Sequence, residues 1–146
     1  MKNVRIREAA IADREAIGQL VELGARDVRR RIGPHPEPVT MEDLCVRGCK
    51  GLVAVVDDRV IGSVAYRIRG GRLHLFNLVV DAKHRGNGIA HRLLLELESV
   101  AARDGAKHMT LQTIKELRVA PVFEGLGYRV KSTKREFLFS PERERA

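Results

Sequence analysis

Leu73-His74-Leu75-Phe76-Asn77-Leu78-Val79-Val80 is an apolar run that leads, five residues after Val80, into Arg85-Gly86-Asn87-Gly88-Ile89-Ala90 and then into helical spacing. The backbone here leaves a strand, turns tightly and starts a helix. The first turn of a helix carries N–H groups without intrahelical partners, and the aligned peptide dipoles place partial positive charge there. A strand that delivers a glycine-rich turn to such a helix start is a cradle for phosphate. Gly86 and Gly88 let the main chain approach a ligand with no Cβ in the way. The turn alone does not say which phosphate.

Upstream, Val4-Arg5-Ile6-Arg7 alternates like a half-buried strand, and Asp13 stands where an N-cap precedes a helix with Ile17, Leu20, Val21 and Gly24 on one face. Pro34, Pro36 and Pro38 then fix φ and restrict their predecessors, so Gly33 to Pro38 is a loop, followed by Thr40 capping a short helix. Leu52 to Val56 and Val60 to Ile68 read as a hairpin about Asp57-Asp58-Arg59, and Gly70-Gly71 turns into the third consecutive antiparallel strand.

Downstream of the cradle, Ile89, Leu93, Leu94, Leu97, Val100 and Ala101 recur at helical spacing, with Gly105 as the stop. His108 to Gln112 makes a short strand, a helix runs from about Glu116 to Gly127, and Tyr128 to Val130 and Glu136 to Phe139 are the final strands. The expected order is β-α-α-β-β-β-α-β-α-β-β. It describes an α/β fold, in the α+β sense, with a mixed and mostly antiparallel central sheet flanked by helices. Residues 1–140 form one domain, and residues 141–146 a short polar tail.

The 146 residues have the size of one domain with one continuous core. No apolar stretch approaches the roughly 20 residues needed to span a bilayer, and the start lacks the apolar segment of a signal peptide, so the expectation is a cytoplasmic protein with no membrane partner. Cys45 and Cys49 share a helical face but have no His or Cys cluster at zinc spacing; reduced thiols are the reading, with no metal. A net charge of +8 favours anionic partners. The basic residues are scattered and the aromatic content is only 4%, which leaves few stacking platforms and argues against nucleic acid. A dinucleotide fold needs a third glycine and a first, parallel βα unit, and a Walker loop needs Gly-Lys-Ser/Thr; the chain has neither.

The element order and the strand-turn-helix together resemble the GNAT superfamily of acyl-CoA-dependent N-acetyltransferases. The family's motif Q/R-x-x-G-x-G/A is filled by Arg85, Gly88 and Ala90, and Pro121-Val122-Phe123-Glu124-Gly125-Leu126-Gly127-Tyr128 is similar to a second, C-terminal family stretch. The resemblance implies acetyl-CoA as acyl-donor cosubstrate and an amine acceptor whose identity is not legible. It implies that the backbone of Leu78, Val79 and Val80 pairs with the pantetheine arm like an added strand. The Leu78 N–H would face the thioester carbonyl, and the amides of Arg85, Gly86, Asn87, Gly88, Ile89 and Ala90 would hold the pyrophosphate. A homodimer is an arrangement it allows.

Transfer to an amine requires a base for the amine's proton and, in many similar proteins, an acid for the leaving thiolate. The position of the family's glutamate base is His74, whose ordinary pKa of about 6.5 suits proton acceptance near neutrality. The position of the tyrosine acid is Phe123, which has no proton to give but remains a cofactor contact. Tyr66 could point into the acceptor cleft, and Tyr128 reads as core. Glu116 stands where a cofactor-contacting asparagine is usual, and His84 beside the cradle reads as a solvent or phosphate contact. Acceptor choice is expected from the first two helices and residues Arg29 to Val39. An acyl-CoA-binding sensor without turnover, or a basic RNA-associated module, are the alternative functions.

Overall fold

The computed structural model describes residues 3–32, 50–111, 113–114, 129–134 and 138–144. Strand β1 (Arg5–Glu8) passes through a 3-10 turn (Ile11–Asp13) into helix α1 (Arg14–Ile32). Strands β2 (Lys50–Val56), β3 (Arg59–Arg69) and β4 (Arg72–Val80) follow, and a second 3-10 turn (Ala82–His84) leads to helix α2 (Ile89–Arg103). The remaining strands are β5 (His108–Leu111), β6 (Thr113–Ile114), β7 (Arg129–Lys134) and β8 (Leu138–Glu144). The sheet order is β1-β2-β3-β4-β5-β8-β6, with β7 on β8, and β4–β5 is parallel while the other pairs are antiparallel. The mixed, mostly antiparallel sheet read from the sequence is the sheet observed.

Two short turns set the register of its first half. Asp57 and Asp58 both adopt left-handed φ, 49° and 62°, and Gly70 and Gly71 do the same at 57° and 75°. Two residues at positive φ are what a two-residue hairpin needs if its twist is to match the strands, and glycine and aspartate enter that region at least cost.

Both faces of the sheet are covered. Ile89, Leu93, Leu97 and Ala101 of α2 pack on Leu52, Tyr66, Leu73, Leu75, Met109 and Leu111, while on the other face Ile17 packs on Val53 and Val55. All six residues assigned to the buried stripe of α2 are buried. Coverage on both faces explains why Ile61 to Tyr66 is buried without interruption, erasing the alternation that would have shown which way Tyr66 points. Tyr66 pairs with Leu75 in register and lies in the core beneath α2, 1% exposed, its hydroxyl without a hydrogen-bond partner among the described residues. Burial raises its pKa. It does not open onto the face that carries His74, and the cleft position considered for it is withdrawn.

Asp13 serves α1 differently from a simple N-cap. Its carboxylate accepts two bonds from Arg7, Nη1 to Oδ2 at 2.8 Å and Nη2 to Oδ1 at 3.0 Å, and a third from the Ala10 N–H at 2.7 Å. The group clasps the end of β1 to the start of α1. The residues from Pro141, read as a polar tail, continue β8 to Glu144; Thr110 stands opposite Glu142 and Met109 opposite Arg143 on β5. Ladder pairing uses the backbone, so polar side chains do not prevent it. The expected helices after Thr40 and after Glu116, the prolyl loop, Cys45 and Cys49 lie outside the described residues.

Two stability outcomes follow from these contacts. The paired Arg7 guanidinium holds the Asp13 carboxyl below its ordinary value against the opposing effect of burial. A lowered folded-state pKa stabilises above the unfolded value of about 3.9 and is lost as pH falls through the folded one. Asp13→Asn is therefore expected to cost about 1–3 kcal/mol at neutral pH, with the gap to the parent chain narrowing below about pH 4 in urea titrations. Tyr66→Phe removes an unsatisfied hydroxyl without changing shape, so its melting temperature should equal or exceed the parent's; a clear loss would reveal a hydroxyl partner.

Candidate active site

Strand β4 carries the site, and one irregularity in it decides the geometry. Leu73 and Leu75 are buried under α2, which by alternation places His74 on the opposite face. Between Phe76 and Val79, β4 advances by three residues while β3 advances by two, from Ala65 to Ser63. Asn77 takes up the extra residue at φ 53°. This is a β-bulge, and asparagine tolerates the left-handed region better than most side chains. It resets the phase of the strand: Leu78 and Val80 now pack against the α2-side core, and Val79 turns to α1, where a Cβ on Gly24 would lie 3.3 Å from its Cγ2. The signal was present in the sequence, as apolar positions at 73 and 75 followed by 78 and 80, but the register that explains it was not.

On its other side β4 pairs with β5 over Arg72 to Leu75, opposite His108 to Leu111. Beyond Leu75 no described strand pairs with β4 on that side; β6, after β5, pairs with β8 instead. Leu78, Val79 and Val80 lie beyond the last described rung of that pair.

The strand then enters the cradle. The Asp81 N–H donates to Ile61 O at 2.8 Å, and the His84 N–H to Asp81 O at 2.9 Å, closing the 3-10 turn. Asp81 Oδ2 lies 3.1 Å from His84 Nδ1, Asn87 Nδ2 donates to His84 O at 3.2 Å, and Arg85 Nε donates to Val80 O at 3.0 Å. Gly86 has φ 80° and Gly88, the N-cap of α2, φ 75°. An added Cβ at either would meet nothing within 4 Å, so backbone conformation, not crowding, selects glycine. No side chain caps the helix, and its first backbone bond is Arg92 N–H to Gly88 O at 3.0 Å. The amides from Gly88 to His91 therefore have no intrahelical partner. Arg85 to Gly88 are exposed, Ile89 is buried as the helix's first core residue, and Ala90 is partly buried.

A cavity of about 150 Å³ lies between α1 and this turn, lined by Leu20, Gly24, Asp27 and Arg30 on one side and Val79 and Arg85 on the other. It has an apolar floor and charges of both signs at the rim.

His74 is partly buried, and its Nδ1 lies 2.9 Å from Thr110 Oγ1 on β5. Its ring stacks on Phe76, with centroids 5.9 Å apart and planes at 26°. Burial, and then the Arg67 guanidinium on β3, push the imidazole below its ordinary pKa. The ring is therefore neutral at physiological pH. Thr110 was not singled out from the sequence; only the parallel register of β4 and β5 brings it beside His74. Phe123, Glu116, Tyr128 and residues 33–39 lie outside the described residues. Among the described residues no cluster of three His, Cys, Asp or Glu could hold a metal ion, and no helix is long and apolar enough to cross a membrane.

Comparisons with known proteins agree with this geometry. The model of the acetyltransferase (GNAT) family matches residues 20–128. Human N-acetyltransferase 8B is 32% identical over 93 residues, covering 59% of this chain and 40% of its own length. Human N-acetyltransferase 8 is 30% identical over 107 residues, covering 68% and 46%. The chain thus spans less than half the length of these relatives. Among solved structures, the PaiA N-acetyltransferase of Thermoplasma acidophilum, in complex with coenzyme A, superposes with a TM-score of 0.79 at 22% identity, covering 97% of this chain and 99% of its own. An N-acetyltransferase of Staphylococcus aureus Mu50 gives 0.75 at 17% identity, covering 97% and 98%.

Proposed function

Because this chain belongs to the acetyltransferase (GNAT) family, we propose that it transfers an acetyl group from acetyl-CoA directly to a primary amine of a small molecule or protein. The observation that carries the reading is the stretch of β4 from Leu78 to Val80, which no described strand pairs on its β5 side, running into the start of α2, where no N-cap side-chain bond is described. Backbone N–H and C=O groups along an unpaired edge accept an extended ligand as an added strand, and the helix start accepts an anion. The cofactor has both parts, a pantetheine arm and a pyrophosphate. The open space beside Gly86 and Gly88 fits it too.

When bound, the cofactor supplies an activated acyl carbon and a thiolate as leaving group. The backbone of Leu78, Val79 and Val80 would align the pantetheine arm, with the Leu78 N–H as the donor to the thioester carbonyl oxygen. Amides of the turn from Arg85 through Gly86, Asn87, Gly88 and Ile89 to Ala90 would hold the pyrophosphate. His74 lies four residues before Leu78, with the Asn77 bulge between them. It would take the amine's proton directly or through water. Burial keeps the imidazole unprotonated and ready to accept. With phenylalanine at 123, the thiolate is protonated by solvent. The cavity beside α1 lies on the face where the acceptor is expected, with Asp27 available to an ammonium group. The reading places the reaction in the cytoplasm, without membrane or nucleic-acid partners.

Thiol release from acetyl-CoA across a panel of amines tests the activity; tight binding with no turnover on any amine would support a sensor instead. Gly88→Glu places bulk and negative charge against the pyrophosphate at a left-handed position, and calorimetry should show acetyl-CoA affinity falling by about 100-fold or more. Unchanged affinity would remove the cradle from the assignment. For His74, the direction of the pKa shift fixes the pH dependence: the active form is neutral, so kcat should be flat at neutral pH and fall only below about 6.5 as the imidazole is protonated. His74→Ala should lower kcat by roughly 10²- to 10⁴-fold and abolish that acid limb, with acetyl-CoA affinity held. An acid limb that persists in the variant would exclude His74 as the base.

A further inference from the structure

We infer that Thr110 is a positioning residue for His74, its hydroxyl accepting the Nδ1–H and leaving Nε2 as the nitrogen that takes the proton. The inference rests on the reading of His74 as base. It begins from the 2.9 Å contact between Thr110 Oγ1 and His74 Nδ1 across the parallel β4–β5 pair. A neutral imidazole has one N–H and one lone pair, and the hydrogen bond made by one nitrogen decides what the other can do. Thr110 can donate or accept, so a second neighbour is needed to fix the direction. That neighbour is Arg67, the register partner of His74 on β3, which bears on the imidazole electrostatically. A guanidinium is donor-only, so the field on that side favours a lone pair and disfavours an N–H. With the lone pair at Nε2, the proton resides on Nδ1, and Thr110 accepts.

The ring has little freedom to escape this arrangement. Phe76 stacks on one face, and the site is partly buried, which strengthens a hydrogen bond relative to one in water. The His74–Thr110 pair is the last described rung of the β4–β5 ladder but one, with Leu75 and Leu111 paired beyond it. The proton acceptor is thus anchored within the ladder, next to its last described rung. Thr110 from β5 makes the contact, and Arg67, the register partner on β3, supplies the field.

The tautomer can be read without cofactor or turnover. In the full chain labelled with ¹⁵N-histidine, the His74 resonances, assigned by their loss in His74→Gln, should show a protonated Nδ1 and an unprotonated Nε2 at neutral pH. Thr110→Val keeps the shape and removes the acceptor, so the signal should move toward a mixture of tautomers. In the same variant kcat should fall about tenfold, less than the roughly 10²- to 10⁴-fold worth of a positioned base, with the KM for acetyl-CoA unchanged. Thr110→Ser should restore both readouts. A parent protein with the proton on Nε2, or a Thr110→Val variant with unaltered tautomer and kcat, would overturn the assignment while leaving His74 as base. Unchanged kcat in His74→Gln would overturn the reading on which the assignment rests, whatever the tautomer.

Discussion

A parallel pair of strands that separates partway along its length leaves backbone donors and acceptors that still require partners. This is the constraint on which the rest of the molecule depends. Strand β4 is held on one side by β3 along its length, but among the described residues β5 accompanies it only to Leu75. The bulge at Asn77 sits just past that point, and it converts a continuous strand into two segments of opposite phase. Leu73 and Leu75 bury the first segment against α2; Leu78 and Val80 bury the second against the same core. The strand keeps its apolar anchoring on both sides of the irregularity, so an exposed backbone edge costs the fold little of its core.

Electrostatics are arranged along the same strand. At one end a partly buried imidazole stands against a guanidinium, an environment that favours the uncharged base. At the other, an uncapped helix offers amides and partial positive charge to an anion. A neutral imidazole on β4 and the start of the helix that follows it are thus linked by a short, continuous piece of chain. Their separation is set by covalent spacing, not by the docking of mobile parts.

What could be read from the sequence was whatever is local. The stripe from Ile89 to Ala101 repeats at helical period and every residue of it is buried, because one covered face is what that period encodes. The glycine-rich turn was legible for a similar reason, since Gly86 and Gly88 stand where left-handed φ is required. What escaped depends on register. Tyr66 sits in a run buried on both faces, so alternation could not orient it. Thr110 reaches His74 across 36 residues of chain, and the polar stretch at Pro141 gains its place through backbone pairing with β5, far away in sequence, as well as with neighbouring β7. Phe123, at the position of the family's tyrosine acid, lies outside the described residues.

The small hydrogen bonds inside the cradle carry one more consequence. Asp81 to His84, Asn87 to the His84 carbonyl, and Arg85 to the Val80 carbonyl all join the turn to itself or to its strand. A loop stitched in this way meets its ordering entropy when the chain folds. Immobilising a flexible side chain on association commonly costs about 0.5–1.5 kcal/mol, and those of Asp81, His84, Arg85 and Asn87 are already committed here. Capture of an anion by such a turn is a preorganised event, limited by encounter and desolvation, with no step in which the loop must first find its shape.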